Sequence, residues 1–286
     1  MRLHAIFPQT EIGSDPDVIA EYAREIERLG YDGLVAYDHV LGAEPGREGW
    51  SGPYTIDTPF HEVFVLFAYV AAITTRLELS PGVLILPQRQ TALVAKQAAA
   101  LDVLSRGRLR LGVGIGWNWV EFDALGMRFA DRAKRIEEQI PLLRRLWTEP
   151  SVSYEGRWHR VDRAGLNPLP VRRPIPLWMG ADREPAIQRV ARLADGWFAH
   201  LRPDADGAAL AERFWRWVAE AGRDRGAVGL ECRLNARLSD DELARGAAAF
   251  RAMGATDLEL DTMRNGFRAS DEHLAAARRF HDRLAR

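Results

Sequence analysis

The chain has 286 residues, 47% of them hydrophobic, enough for one large domain or two small ones. A formal net charge of -1 supplies neither a basic nucleic-acid surface nor an acidic tail. The single cysteine, Cys232, excludes a disulfide framework within these residues and points to a reducing compartment.

The N-terminal segment MRLHAIFPQT is too short and too polar for a signal peptide. Leu3 to Phe7 reads as the first strand. Asp15 is placed to cap a helix reaching Leu29, with Gly30 as its stop. Gly33 to Tyr37 is the second strand. A long Gly/Pro/Trp-rich loop follows, Leu41 to Pro59, and then a helix beginning near Phe60. Phe60 to Ile73 is the most apolar window, but it is interrupted by His61 and Glu62 and too short to span a bilayer. A soluble, cytoplasmic protein is therefore expected. A helix apolar nearly all round needs cover on several sides, and a second subunit is one candidate for that cover.

Leu77 to Leu86 is the third strand, and Thr91 is read as the cap of a helix running to Ser105. Gly107 stops that helix. Leu109, Leu111 and Val113 alternate as the fourth strand, and Gly112, Gly114 and Gly116 leave its end without side chains. Two helices follow, over Trp119–Leu125 and Asp131–Trp147. The irregular stretch from Glu149 to Arg173, with a hairpin around Glu155-Gly156, is long enough to be a lid or insertion. Ile175 to Met179 is the fifth strand, with Ile187, Val190 and Leu193 on one face of the next helix. Gly196–Ala199, Leu230–Leu238 and Leu258–Leu260 complete the strands, and a final helix carries Leu274, Phe280 and Leu284.

Eight strands alternating with helices point to one (β/α)₈ barrel domain over residues 1–286, with an insertion after the fourth-strand region. A doubly wound sheet is the alternative. In a barrel the site lies at the C-terminal strand ends. Asp38-His39 follows the second strand. It reads either as an acid/base or hydrogen-bonding pair or as a surface turn with a capping aspartate. The strand-to-helix turn Gly180-Ala181-Asp182 is a candidate phosphate site, with Arg183 and Arg89 as candidate counter-charges. The seven histidines (4, 39, 61, 159, 200, 273 and 281) show neither H-x-H nor HExxH spacing, so no metal site is expected.

Several segments in order resemble the luciferase-like monooxygenase family, closest in pattern to its deazaflavin-dependent branch. They are GYDGLVAYDHV (30–40), PGVLILPQRQ (81–90), AKQAAALDVLSRGRLRLGVGIGW (95–117), Glu121-Phe122, PIPLWMGAD (174–182) and ADGWF (194–198). The last third matches weakly. The resemblance implies a barrel binding the deazaflavin coenzyme F420 or FMN. Asp38 and His39 would lie near the ring system. Pro81, Gly82 and Val83 would support its face, with Gly82–Val83 as the place for a non-prolyl cis peptide. Gly114, Gly116 and Trp117, with Gly180, Ala181, Asp182 and Arg183, would hold the tail and phosphate. Thr91 departs from the family's usual proline. Asp182 departs from a usual small residue and shifts phosphate contacts toward Arg183.

The expected activity is hydride transfer between F420 and a small organic substrate, with His39 as general acid or hydrogen-bond donor to the reacting centre. An FMN-dependent monooxygenase using reduced flavin and oxygen is the alternative, and a non-catalytic cofactor-binding protein is a third reading. Gln9, Trp50, Tyr54 and Trp158, with the 41–59 loop and the 149–173 segment, are the expected substrate pocket. Family analogy adds a homodimer, and a flavin reductase or F420-reducing enzyme as supplier of the reduced cofactor.

Overall fold

The computed structural model describes residues 1–284. Strands β1 (Arg2–Ile6), β2 (Gly33–Ala36), β3 (Glu78–Pro81), β4 (Leu84–Ile85) and β5 (Leu111–Gly114) alternate with helices α1 (Pro16–Leu29), α2 (Val63–Ile73) and α3 (Thr91–Leu104). Helices α4 (Trp119–Ala124) and α5 (Arg132–Thr148) then lead to the antiparallel hairpin β6 (Val152–Glu155) and β7 (Arg160–Ala164). The remaining elements are β8 (Leu177–Gly180), α6 (Glu184–Leu193), β9 (Gly196–Ala199), α7 (Ala205–Glu220), β10 (Gly229–Asn235), α8 (Asp240–Ala252), β11 (Asp257–Asp261) and α9 (Ser270–Leu284).

The large sheet is parallel throughout, in the order β3-β2-β1-β11-β10-β9-β8-β5-β4. Its two ends meet. The Leu79 N–H donates to the Arg108 carbonyl, and the Arg110 N–H donates to the Leu79 carbonyl, so β3 joins the start of β5 and the barrel closes. β3 and β4 together form one barrel strand, which brings the count to the expected eight. The hairpin β6–β7 is the insertion, and its turn is closed by the Gly156 N–H donating to His159 O at 2.9 Å.

Local chemistry explains the element ends. The Asp15 side chain accepts from the Asp17 N–H, Pro16 occupies the first turn of α1, and Gly30 closes the helix at φ +99°. Ser239 and Glu242 form a reciprocal capping box on α8. Residues of each strand alternate between two environments. Leu34, Leu79, Leu111, Val113, Leu177, Trp197, Leu230 and Leu258 belong to one apolar layer under the helices. A small separate cluster of Ile6, Val35 and Met263, with Tyr37 against it, fills part of the barrel interior.

Three expectations need correction. The third strand is interrupted rather than continuous, with the cis Gly82–Val83 peptide lying between β3 and β4. The helix expected near Phe60 begins at Val63, capped by the Glu62 carboxylate accepting from the Val65 N–H. Gln90, not Thr91, is the residue before α3. The Thr91 hydroxyl instead lies 2.7 Å from His159 Nε2 and accepts from Gln139 Nε2 at 2.9 Å, while His159 Nδ1 donates to Glu138. The Thr91 hydroxyl thus fastens the inserted hairpin to α3 and α5. Helices α7 and α8, which the periodic reading did not single out, complete the alternation.

No helix of the described residues is long and apolar enough to cross a membrane.

Candidate functional site

A cavity of about 620 Å³ opens at the C-terminal ends of the strands, inside the range typical of small-ligand sites. Its wall includes Asp38, His39, Tyr54, Gly82, Val83, Gly114, Gly116, Trp117, Gly180, Ala181, Asp182 and Arg183. Segments distant in sequence thus meet around one space. Gln9, Pro81, Trp50 and Trp158 do not line it. Gln9 is buried and donates to the Tyr37 carbonyl. Trp50 stands behind Trp117, ring centroids 5.5 Å apart. Trp158 belongs to the hairpin turn, where its N–H donates to Glu138.

The glycines have a specific local cause. A Cβ on Gly114 would lie 2.5 Å from Val83 Cγ2, and one on Gly180 would lie 3.1 Å from Val83 Cγ1. The Val83 isopropyl group therefore lies over two strand ends that have no side chain, and all three residues share the cavity floor. Gly112 is more crowded: its Cβ would meet the Pro81 carbonyl at 2.0 Å. Gly112 is therefore explained by strand packing, and Gly114 and Gly180 by the residue they admit.

Asp38 and His39 divide into two different roles. Asp38 is buried, and both its oxygens are engaged. Oδ1 accepts from Arg89 Nη2 at 2.6 Å and Oδ2 from the Ile85 N–H at 2.9 Å. Burial raises its carboxyl pKa, and the Arg89 guanidinium opposes that shift. Asp38 holds β4 in place through one oxygen and Arg89 through the other. Arg89 also reaches Glu62 and lies outside the cavity, so it is not a phosphate partner.

His39 Nδ1 lies 2.9 Å from Glu121 Oε1, which also accepts the Val40 N–H at 3.0 Å. A carboxylate that accepts both assigns the proton to Nδ1. Nε2 has no partner among the described residues and stays accessible on the cavity wall. The ring is boxed by Tyr54 and Phe60, each 4.8 Å away, and Trp117 at 5.4 Å. Glu121 is 82 positions from His39. Glu121-Phe122 was visible in sequence only as a matching pair, because nothing local relates it to the imidazole.

At the far side, Asp182 Oδ1 lies 2.7 Å from His200 Nδ1, and that hydrogen bond lowers the Asp182 carboxyl pKa. Both residues line the cavity, as does Arg132, whose guanidinium carbon lies 3.7 Å from the Phe129 ring centroid. Arg132 Nε is buried without a partner among the described residues.

Deeper in the barrel lies a charged layer that sequence reading missed. Arg110 is fully buried. It contacts Glu78 at 3.0 Å, Glu231 at 2.8 Å and Asp257 at 3.2 Å, and its guanidinium carbon lies 4.4 Å from the Trp178 ring centroid. His4 Nδ1 lies 2.6 Å from Glu231. Burial lowers the His4 pKa to about 4 and raises that of Glu231 to about 7. His4, Glu231 and Asp257 could offer a cation three ligand atoms within 4.8 Å of one another. Arg110 already supplies the positive charge there, so the group reads as an internal ion cluster. Its signal was the alternation in Arg110-Leu-Gly, Glu231-Cys-Arg233 and Asp257-Leu-Glu259, polar residues inward and apolar outward.

Comparison with known proteins agrees with this architecture. The family model described as luciferase-like monooxygenase matches residues 2–285. An uncharacterised protein of Mycobacterium bovis is 37% identical over 227 residues, covering 76% of this chain and 77% of that one. An F420-dependent hydroxymycolic acid dehydrogenase of Mycobacterium tuberculosis is 30% identical over 238 residues, covering 81% of this chain and 62% of its own length. Among solved structures, the monooxygenase RslO1 from Streptomyces bottropensis superposes with a TM-score of 0.81 at 18% identity, covering 100% of this chain and 99% of its own. With a barrel of eight strand positions, a cavity at their C-terminal ends and a family match along almost its whole length, the chain belongs to the luciferase-like monooxygenase family.

Proposed function

We propose that this protein is an oxidoreductase that transfers a hydride between the deazaflavin coenzyme F420 and a small organic substrate. The observation that carries the reading is the His39 imidazole, held at Nδ1 by Glu121 and free at Nε2 on a glycine-floored cavity. When bound, the deazaflavin supplies the two-electron chemistry. The residues present fit such a group. Gly114 and Gly180 leave a floor without Cβ atoms, from which Val83 projects. Arg132 has an unpartnered buried Nε, and Arg183 stands at the start of α6. These two arginines are the residues for an anionic tail. The F420-dependent relative supports the deazaflavin over FMN.

His39 holds or moves the proton at Nε2, accepting in the neutral ring and donating in the protonated one. Glu121 fixes the ring orientation and balances the imidazolium charge. Tyr54, Phe60 and Trp117 keep water from three sides of the imidazole. Asp38 acts only by positioning β4 and Arg89.

The reading extends to a homodimer through α2, an 11-residue helix without a charged side chain, whose Val65 is 70% exposed. It also includes an F420-reducing enzyme as supplier of reduced coenzyme.

The test is a fluorescence titration of the purified protein with F420 and with FMN. Micromolar or tighter binding of F420 and much weaker binding of FMN is expected. The reverse preference, with oxygen consumption on adding reduced FMN, replaces the proposal with a flavin monooxygenase.

A further inference from the structure

Four arginines (132, 183, 233 and 264) and three aspartates (38, 182 and 261) line the cavity among the described residues. Asp38 is committed to Arg89 and Asp182 to His200. Asp261 accepts the Met263 N–H, and its charge also acts on Arg233 and Arg264. With Asp38 spent on Arg89, four guanidinium groups of the lining face two aspartates, Asp182 and Asp261.

Two of these cations come from β10 and the turn after β11, on other elements than Arg132 and Arg183. Arg233 rises from β10 beside Asp261 of β11. It donates from Nε to Glu259 Oε2 at 2.8 Å, and its terminal nitrogens have no partner among the described residues. Its side chain is 25% exposed, although it starts in the barrel interior, and its guanidinium carbon lies 5.5 Å from the Tyr37 ring centroid. Glu259 fixes one edge of the fork and leaves the other facing the cavity.

Arg264 follows β11 in an independent arrangement. Its φ is +60°, a left-handed conformation that L side chains rarely adopt. Two contacts hold it there: its N–H donates to Glu11 at 2.7 Å, and its carbonyl accepts from Arg237 at 3.0 Å. The guanidinium carbon then lies 5.6 Å from the Tyr54 ring centroid, next to the His39 box. A constrained backbone that aims an arginine at a cavity is the kind of local conflict that accompanies a binding role.

The geometry points to Arg233 and Arg264 as an anion-recognition pair, and thus to a substrate with an apolar body and a carboxylate or phosphate group. The apolar body would face Tyr54, Phe60 and Trp117. This inference rests on the proposed function for assigning Arg132 and Arg183 to the coenzyme end.

The test follows intrinsic tryptophan fluorescence of the purified protein titrated with benzoate, phenyl phosphate and benzamide. At least one anion should bind ~10-fold or more tightly than benzamide, the ratio expected of a charge-assisted contact. Benzoate winning identifies a carboxylate, and phenyl phosphate winning a phosphate monoester. Arg233→Gln and Arg264→Gln should each erase most of that preference, with benzamide binding and F420 affinity unchanged. Arg183→Gln should leave the preference intact. Arg264 is exposed, so its variant keeps the question open to test if Arg233→Gln fails to fold, which circular dichroism reports.

Anions that bind no better than benzamide overturn the inference, as do two glutamine variants that retain the preference. An equal loss of F420 affinity in Arg233→Gln also overturns it, by giving the arginine to the coenzyme. Failure of the unsubstituted protein to bind either coenzyme, with the anion preference present, defeats the coenzyme reading and leaves this one standing.

Discussion

Replacing Gly114 with alanine tests how the cavity floor is built. The added Cβ would fall 2.5 Å from Val83 Cγ2, whereas ordinary contact starts at 3.4 Å, so about 0.9 Å must be found. β5 is fully buried and hydrogen-bonded to β4 and β8, so Val83 is the group that yields. Its open direction is the cavity. Overpacking of this kind costs ~1–3 kcal/mol. If that cost falls on the bound state, coenzyme affinity drops by roughly ten- to a hundredfold. If it falls on the fold, the melting temperature drops by several degrees.

Gly180→Ala should be milder, because its Cβ would stop 3.1 Å from Val83 Cγ1. Titration with F420 and thermal denaturation, run on both variants and on Gly114→Ala/Val83→Ala, separate the cases. The double variant should recover most of the lost affinity, because the colliding methyl is gone. Unchanged affinity and stability in Gly114→Ala, or no recovery in the double variant, refutes the account of this floor.

His39→Asn should lower turnover by ~10²-fold or more while leaving F420 affinity within a few fold, read by steady-state kinetics. Glu121→Gln should lose a smaller factor, because the imidazole remains but its charge partner does not. Arg110→Met should cost ~3–5 kcal/mol in urea denaturation, since Glu78, Glu231 and Asp257 lose their shared buried cation. Burial lowers the His273 pKa to about 4. A depressed folded-state value means that its contribution is complete above pH ~6.5 and is lost as pH falls through about 4. His273→Gln should therefore flatten the melting-temperature slope between those limits, compared with the unsubstituted protein. If α2 forms the proposed dimer, light scattering should find the unsubstituted protein dimeric and Val65→Asp monomeric; a monomeric unsubstituted protein refutes that interface.

The parts legible in sequence are those with local causes. Gly30 and Asp15 mark α1, the leucine alternation marks β5, and the ordered glycines mark strand ends. Residues read for their position after a strand also converge: Asp38, His39, Gly114, Gly180 and Arg183 all reach one cavity. What a side chain does there depends on distant partners. Asp38 and His39 are neighbours with equal sequence credentials, yet Arg89 and the Ile85 N–H occupy the first while Glu121 frees one nitrogen of the second. Trp158 belongs to the inserted hairpin, whose docking depends on Glu138 and Thr91, so no spacing could reveal that it lies outside the cavity. The inward charges were hidden because the outward leucines of the same strands dominate the hydrophobic pattern.

The Arg110 cluster also bears on how this protein comes apart. Arg110 and Glu78 come from the first half of the chain, whereas Glu231 and Asp257 come from the last fifth. A half-barrel ending before β8 would keep only Glu78 on the guanidinium and have to hydrate the rest of it, and the complementary half would have to hydrate two carboxylates. Neither fragment could seal its interior without its counterpart. Cooperativity is thus written into the electrostatics of the barrel axis, and the two halves should order only when they meet.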